Sequence, residues 1–232
     1  MVISGALNPS TETGSPMHLR SFAARLHEVD PLQPEADVIA WASLCLSKGG
    51  VLIYPTETFY GLGGAQYQPE VVERIYRLKA RDGRKPLPLI AANEVAARRA
   101  AHIWPEVAER LARAFWPGPL TLVVVAAPQF PPSLHAQTGK IAVRVSSHAV
   151  ARNLAAGAGG LIISTSANLA GQTPCVHPDQ LPLEFLQQVD GVLHAGATPG
   201  GQPSTLVDVT VDPPQLLRAG VIEWERLQQV LL

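Results

Sequence analysis

Cysteine is scarce in this chain: Cys45 and Cys175 stand alone among 232 residues, too few for a disulfide framework and without the paired spacing of a zinc motif. Both read as small apolar fillers, which suits a reducing, cytoplasmic compartment. Charge is scarce too. Charged residues make up 16% of the chain, below the ~25% of an ordinary soluble protein, so most elements should be covered rather than solvated. Neither sign dominates, because 18 basic and 19 acidic residues nearly cancel to a net charge of -1. That excludes a global field able to hold a polyanion, and any anion site must be local. Long apolar runs are also missing. LTLVVVAA at 120–127 is far too short to span a bilayer, and MVISGALNPSTETGSPM at the start lacks the parts of a signal peptide. No membrane partner is expected, and residues 1–17 read as a flexible tail.

What is present is alternation. Apolar residues at helical spacing between Glu35 and Lys48 end at Gly49 and Gly50, and the buried-looking strand VLIYP follows. Pro69 opens a second helix, LPLIAA reads as a strand, and NEVAARRAA and PEVAERLARAF read as helices. Strand LTLVVVA, a proline-rich connector, strand IAVRV, helix HAVARNLAA and strand GLIIST come next, followed by the short segments GVLHA, STLVDVT and QLLRAG. This pattern predicts an α/β domain built on one twisted, mixed parallel and antiparallel sheet flanked by helices, with antiparallel pairing near the end.

Several familiar sites can be rejected. The Gly139-Lys140 pair is followed by isoleucine and lacks the glycine a Walker loop needs five residues earlier, and Gly61-x-Gly63 has Gln66 where a dinucleotide fingerprint needs its third glycine. H-E-x-x-H and G-x-S-x-G do not occur, and the 7 histidines are scattered.

Other clusters survive. Arg74, Arg77, Lys79, Arg81, Arg84 and Lys85 place six of the 18 basic residues together. A solvated helix face is one reading, since Arg74, Arg77 and Arg81 share a stripe. The order helix end, glycine-containing loop, buried strand favours an anion site, because it folds long cations back over a sheet edge. YPTETFYGLGG at 54–64 gathers Thr56, Glu57, Thr58 and Tyr60 in one loop suited to a small polar ligand. LIISTSANLAG turns abruptly from strand apolars to Ser164, Thr165, Ser166 and Asn168, either a phosphate or ribose contact or a helix N-cap. Arg144, inside IAVRV, needs a carboxylate or phosphate partner if it points inward.

These motifs, in this order, resemble the YrdC domain, the family of threonylcarbamoyl-AMP synthases of tRNA t6A biosynthesis. The resemblance runs from about Asp30 onward. YPTETFYGLG is similar to the family's P-T-E/D-x-x-Y/F-G-x-G, Lys79-Ala80-Arg81 to its K-x-R, with Lys85-Pro86-Leu87 matching the segment after it. Trp116 to Thr121 resembles W-P-G-P-x-T, Ala142-Val143-Arg144 resembles A-V-R, and Ser166-Ala167-Asn168 resembles S-x-N. Ser204-Thr205 and Arg218-Ala219-Gly220 resemble the closing S-T and R-x-G.

The resemblance implies a YrdC-like catalytic domain over 18–232 that joins L-threonine, bicarbonate and ATP into threonylcarbamoyl-AMP and pyrophosphate. By matching position, Lys79, Arg81, Lys85, Ser166, Asn168 and Arg218 are expected at ATP, Lys79 and Arg81 acting in catalysis. Thr56, Thr58, Arg144, Ser164 and Ser204 are expected to line the threonine and carbamate pocket. Mg2+ would arrive on the ATP phosphates without a protein metal site. A tRNA threonylcarbamoyltransferase complex is the implied downstream partner. Two departures stand out: Ile90 occupies a position where some members carry histidine, and Asp82 follows Arg81 where proline is frequent. With only VIEWERLQQVLL after LLRAG, the chain resembles the short form. The competing readings are the YciO branch, which generally lacks K-x-R and S-x-N, a hydrogenase-maturation carbamoyl-transfer domain, which normally sits among others, and a noncatalytic RNA-binding protein. Against strong nonspecific RNA binding stand the net charge of -1 and the few lysines; weak RNA contact stays open.

Overall fold

The computed structural model describes residues 25–80 and 85–231. The tail at 1–17, Arg81 and Asp82 lie outside the described residues.

The expected mixed α/β class holds, but the single sheet divides into two. Among the described residues, β1 (Leu26–Glu28), β2 (Leu52–Tyr54), β3 (Gly61–Gly63), β8 (Thr165–Ser166) and β9 (Gly191–His194) form a five-stranded sheet in the order β1-β9-β2-β3-β8. The other sheet, in the order β11-β10-β5-β6-β4-β7, contains β4 (Leu89–Ala91), β5 (Leu120–Val125), β6 (Lys140–Val145), β7 (Leu161–Ile163), β10 (Thr205–Asp208) and β11 (Gln215–Arg218). Pairing is mixed in both, and β10 meets β11 antiparallel, as the closing segments predict.

β2, β4 and β7 are covered on both faces, which is why they read as continuous apolar runs, whereas β6 alternates buried and half-buried residues. Their period of two sorts side chains between two cores. Ile53, Leu62, Leu89, Val143, Ile163 and Val192 enter the larger core, to which both sheets contribute. Leu52, Tyr54, Ile90, Ile162 and Leu193 point into the smaller one. Helices α1 (Ala36–Ser47) and α5 (Ala149–Gly157) close the smaller core through Ala42, Leu46, Val150 and Leu154. The larger core is covered by α2 (Pro69–Leu78), α3 (Glu94–Arg98), α4 (Glu106–Phe115) and α7 (Trp224–Leu231), with the short α6 (Leu183–Leu186) beside them. Asn93 caps α3 by accepting the Ala96 amide at 2.9 Å.

Gly63 explains why GLG is a strand at all. A Cβ there would collide with the Ile163 carbonyl, so only glycine lets β3 lie this close to β7. The Gly61-x-Gly63 spacing thus serves strand packing. Among the described residues no helix is long and apolar enough to cross a membrane. Cys175 is the buried filler expected; burial pushes its thiol up to about 12, so it stays protonated.

Candidate active site

One cavity of about 680 Å³ lies against the six-stranded sheet, within the size range of small-ligand sites. Its floor is a sheet face rather than the strand ends. On β6, Ile141, Val143 and Val145 are in the core while Lys140, Ala142 and Arg144 face the cavity; on β5, Thr121 and Val123 face it, and on β10, Leu206 and Asp208 do. Three neighbouring strands thus bring Thr121, Lys140, Arg144 and Asp208 onto one face.

All the described candidates line this cavity. Thr56 and Thr58 come from the β2–β3 loop, Lys79 from the end of α2, Lys85 from the segment before β4, and Arg144 from β6. Ser164, Ser166 and Asn168 come from the turn around β8, while Ser204 and Arg218 come from the start of β10 and the end of β11. The basic cluster is split: Arg74 pairs with Asp190 at 2.6 Å and donates to Gln188 O at 2.7 Å, and Arg77 is exposed, so only part of the cluster serves the cavity.

The threonine loop is braced from within. Thr56 Oγ1 donates to Phe59 O at 2.7 Å and lies 3.2 Å from Thr58 Oγ1. Glu57, between them, receives Arg144 Nη1 at 2.8 Å and the hydroxyl of Ser146, answering the need of an inward arginine for a carboxylate. Its side chain and that of Arg144 are each 11% exposed. Glu57 stood out in the loop but not as a site residue; its role needed the β6 register to be seen.

The SAN turn is held by a lysine. Lys79 is buried, and its Nζ donates to Ser166 O at 2.5 Å and to Asn168 O and Oδ1 at 2.9 Å each. Ser166 Oγ donates to Asn168 Oδ1 at 2.6 Å, and Asn168 Nδ2 donates to Gln172 O at 2.5 Å. No helix follows Asn168, so the N-cap alternative is overturned.

At the opposite wall, Arg218 donates from Nη2 to Ser204 O at 2.8 Å and to Ser204 Oγ at 3.0 Å, and Thr121 Oγ1 lies 2.8 Å from that hydroxyl. Gly220 makes this possible, because a Cβ would strike Pro203 O and the R-x-G turn could not press against 203–205. The Arg218 guanidinium is held below its ordinary pKa by lost solvation and by the facing Arg144 charge. Two cations placed to repel each other favour an anion between them. Lys140 and Asp208 pair at 2.9 Å on the floor, an addition visible in sequence only as polar residues in phase with Arg144 and Leu206.

Ile90, the departure noted in the sequence, packs with Tyr54 and Ile162 in the smaller core; its neighbours Pro88 and Leu89 line the cavity. It therefore leaves the cavity wall unaltered.

Comparisons with known proteins agree on one family. The family model Sua5_yciO_yrdC, described as telomere recombination, matches residues 45–220. The chain is 36% identical to the threonylcarbamoyl-AMP synthase of Stenotrophomonas maltophilia, covering 70% of this chain and 89% of that one. It is 33% identical to the enzyme of the same name from Pyrococcus abyssi over 80% of its own length, and spans only 55% of that longer protein. Among solved structures, P. abyssi Sua5 complexed with L-threonine superposes with a TM-score of 0.82 at 30% identity, over 88% of this chain and 60% of that one. E. coli YciO gives 0.78 at 28% identity, over 86% and 97%. With its motifs gathered in one cavity and the family model spanning 45–220, this chain belongs to the Sua5/YciO/YrdC family.

Proposed function

We propose that the protein is an L-threonylcarbamoyl-AMP synthase that condenses L-threonine, bicarbonate and ATP and supplies the product for t6A modification of tRNA. The observation that carries this reading is the convergence of Lys85, Arg144 and Arg218 with the threonine loop and the SAN turn in one cavity. The identity to proteins named for this activity supports it.

In the proposed reaction the threonine amine adds to bicarbonate with loss of water, giving an N-carboxylate. One carbamate oxygen then attacks the ATP α-phosphorus, the bond to the bridging oxygen of the β-phosphate breaks, and pyrophosphate leaves. The nucleophile is already anionic, so the step asks for charge neutralisation and alignment more than for a general base. Arg144, aimed by Glu57, takes the threonine and carbamate end with Thr56, Thr58, Ser164 and Ser204. Lys85 and Arg218 take the phosphates, joined by Arg81 from outside the described residues. Lys79 holds Ser166 and Asn168 against the nucleotide. Mg2+ would neutralise phosphate charge when ATP carries it in. Asp208, the one carboxylate among the described lining residues, is engaged by Lys140, which fits a metal held by the nucleotide rather than by the chain.

The test is incubation with ATP, labelled bicarbonate and single amino acids, followed by detection of an acyl-AMP. Threonine is expected to drive pyrophosphate release far better than valine, which has a similar shape but lacks the hydroxyl. Equal rates, or release independent of bicarbonate, would overturn the assignment. The noncatalytic RNA-binding alternative is not favoured; it predicts RNA affinity falling steeply with salt and no nucleotide discrimination.

A further inference from the structure

The scattered histidines of the sequence include two that the fold brings together, away from the residues assigned to the reaction. His177, Asp179 and His194 each offer one ligand atom, and these atoms lie within 4.8 Å of one another. His177 and Asp179 belong to the single 3-10 turn after the SAN segment, and His194 ends β9. The two imidazoles meet edge to face at 4.9 Å.

Three details show a cluster with more acceptors than donors. The Asp179 Oδ1 atom is buried and has no hydrogen-bond partner, which is costly for a carboxylate oxygen. His177 Nδ1 accepts the Asp179 amide at 3.4 Å while lying 3.3 Å from Asp179 Oδ2. A nitrogen that accepts from the amide carries no hydrogen to give the carboxylate, and a cation would take its one lone pair in place of the long amide contact. His194 is oriented from behind, its Nδ1 lying 2.9 Å from Glu28 Oε2. Donation to that carboxylate leaves the lone pair on Nε2, the arrangement by which outer carboxylates fix metal-binding histidines.

We propose that His177, Asp179 and His194 form a binding site for a divalent transition metal of the zinc class, with Glu28 orienting His194. Two imidazoles and one carboxylate suit such a cation and disfavour magnesium or calcium, which prefer all-oxygen sets. Zn–N and Zn–O bonds of ~2.0–2.2 Å require ligand atoms about 3.3 Å apart, so small side-chain rotations close the set. Solvent completes the coordination. The bound ion fastens the turn at 177–180 to the end of β9. The chain flanking both segments meets the cavity residue Tyr60: Tyr60 N donates to Cys175 O at 2.9 Å, and the Tyr60 hydroxyl accepts from Ala195 N at 3.0 Å and donates to Gly196 O at 2.7 Å. The site is therefore structural, and it stands apart from the reaction proposed above.

Zinc chloride titrated calorimetrically into the chelator-stripped full chain, without nucleotide, tests this. One equivalent is expected to bind, and zinc at about 100 times Kd should raise the melting temperature by roughly 5–10 °C. His194→Ala and Asp179→Asn should each weaken binding at least 100-fold, Glu28→Gln about tenfold, and His102→Ala, on an exposed residue elsewhere, should leave it unchanged. If His194→Ala fails to fold, the Glu28→Gln and Asp179→Asn titrations carry the test. The proposal is overturned if the wild-type chain binds no zinc, or if Asp179→Asn binds as tightly as wild type. A sulfur-to-metal charge-transfer band on loading with cobalt(II) would overturn the three-residue ligand set, because it would put a cysteine in it.

Discussion

Glu57 and Arg144 sit 87 residues apart in sequence and 2.8 Å apart in space, each nearly out of contact with water. An arginine fixed in this way keeps its remaining donors directed into the cavity instead of collapsing onto the sheet. Glu57→Gln retains the shape but not the charge. The expected result is a threonine KM raised about 10- to 100-fold with a smaller change in kcat, because binding rather than chemistry loses its anchor. Glu57→Ala should also destabilise the fold by about 3–5 kcal/mol, since it leaves a buried guanidinium without its partner. Steady-state kinetics at varied threonine, with urea denaturation of both variants, check these outcomes.

Arg218 meets Ser204 through both Nε and Nη2, at 3.2 and 2.8 Å from the carbonyl. A lysine keeps the charge but cannot reproduce a planar fork. Arg218→Lys is therefore expected to weaken ATP binding about tenfold while lowering the denaturation midpoint only slightly, because the residue as a whole is exposed and only its guanidinium end loses solvent against Ser204. Calorimetric titration with ATP checks it. An affinity equal to wild type would reduce Arg218 to a generic positive charge.

Much of this could be read from the sequence, and the rest has identifiable causes. The long elements showed because each carried its pattern: α4 with Ala108, Leu111 and Ala112 on one face, β5 as an apolar run interrupted only by Thr121. β1 and β3 did not show. β1 is three residues that pair with β9 far along the chain, and β3 is GLG, held by backbone bonds and close packing with no side-chain pattern to read. The division into two sheets was hidden for a related reason: strands buried on both faces look alike whichever ladder they join. In the site, motif order located the candidates, but it could not tell Arg74, tied to Asp190, from Lys85, which lines the cavity. That distinction depends on which way a helix face points.

Asp208 gives the cavity floor an acid-sensitive bond. Burial works against its charge, but hydrogen bonds from Thr210 and from Lys140 outweigh burial and hold the carboxyl below the ordinary aspartate value of 3.8. A folded-state pKa below the unfolded one means that the stabilisation is fully present above about pH 4 and is lost as pH falls through the folded value. Asp208→Asn should lower stability at pH 7 by about 1 kcal/mol, discounted because Lys140 is partly exposed. It should also flatten the loss of stability between pH 4 and pH 2. Urea midpoints across that range, compared with wild type, check the sign; parallel curves would show that Asp208 contributes nothing to the acid limb.

The last prediction concerns the knot of Lys79, Ser166 and Asn168. If the SAN residues merely capped a helix, Ser166→Ala would cost ~1 kcal/mol and leave activity alone. The chain after Asn168 forms turns, the Ser166 hydroxyl donates to the Asn168 amide oxygen, and the Lys79 ammonium donates to that same oxygen and to the Ser166 backbone carbonyl. Removing the ammonium leaves Ser166 O and both Asn168 oxygens short of a donor in a buried place, so Lys79→Ala should cost about 2–4 kcal/mol of stability as well as nucleotide binding. Ser166→Ala removes one internal bond while the lysine still holds the backbone; it should cost only ~1 kcal/mol but lose most turnover, because a small shift of the turn misaligns the nucleotide for in-line attack. Asn168→Ala falls between, losing an acceptor for Lys79 and a donor to Gln172. Urea denaturation, ATP titration and the product assay on the three variants separate the effects. Wild-type affinity and turnover in Ser166→Ala would confine this knot to a role in folding.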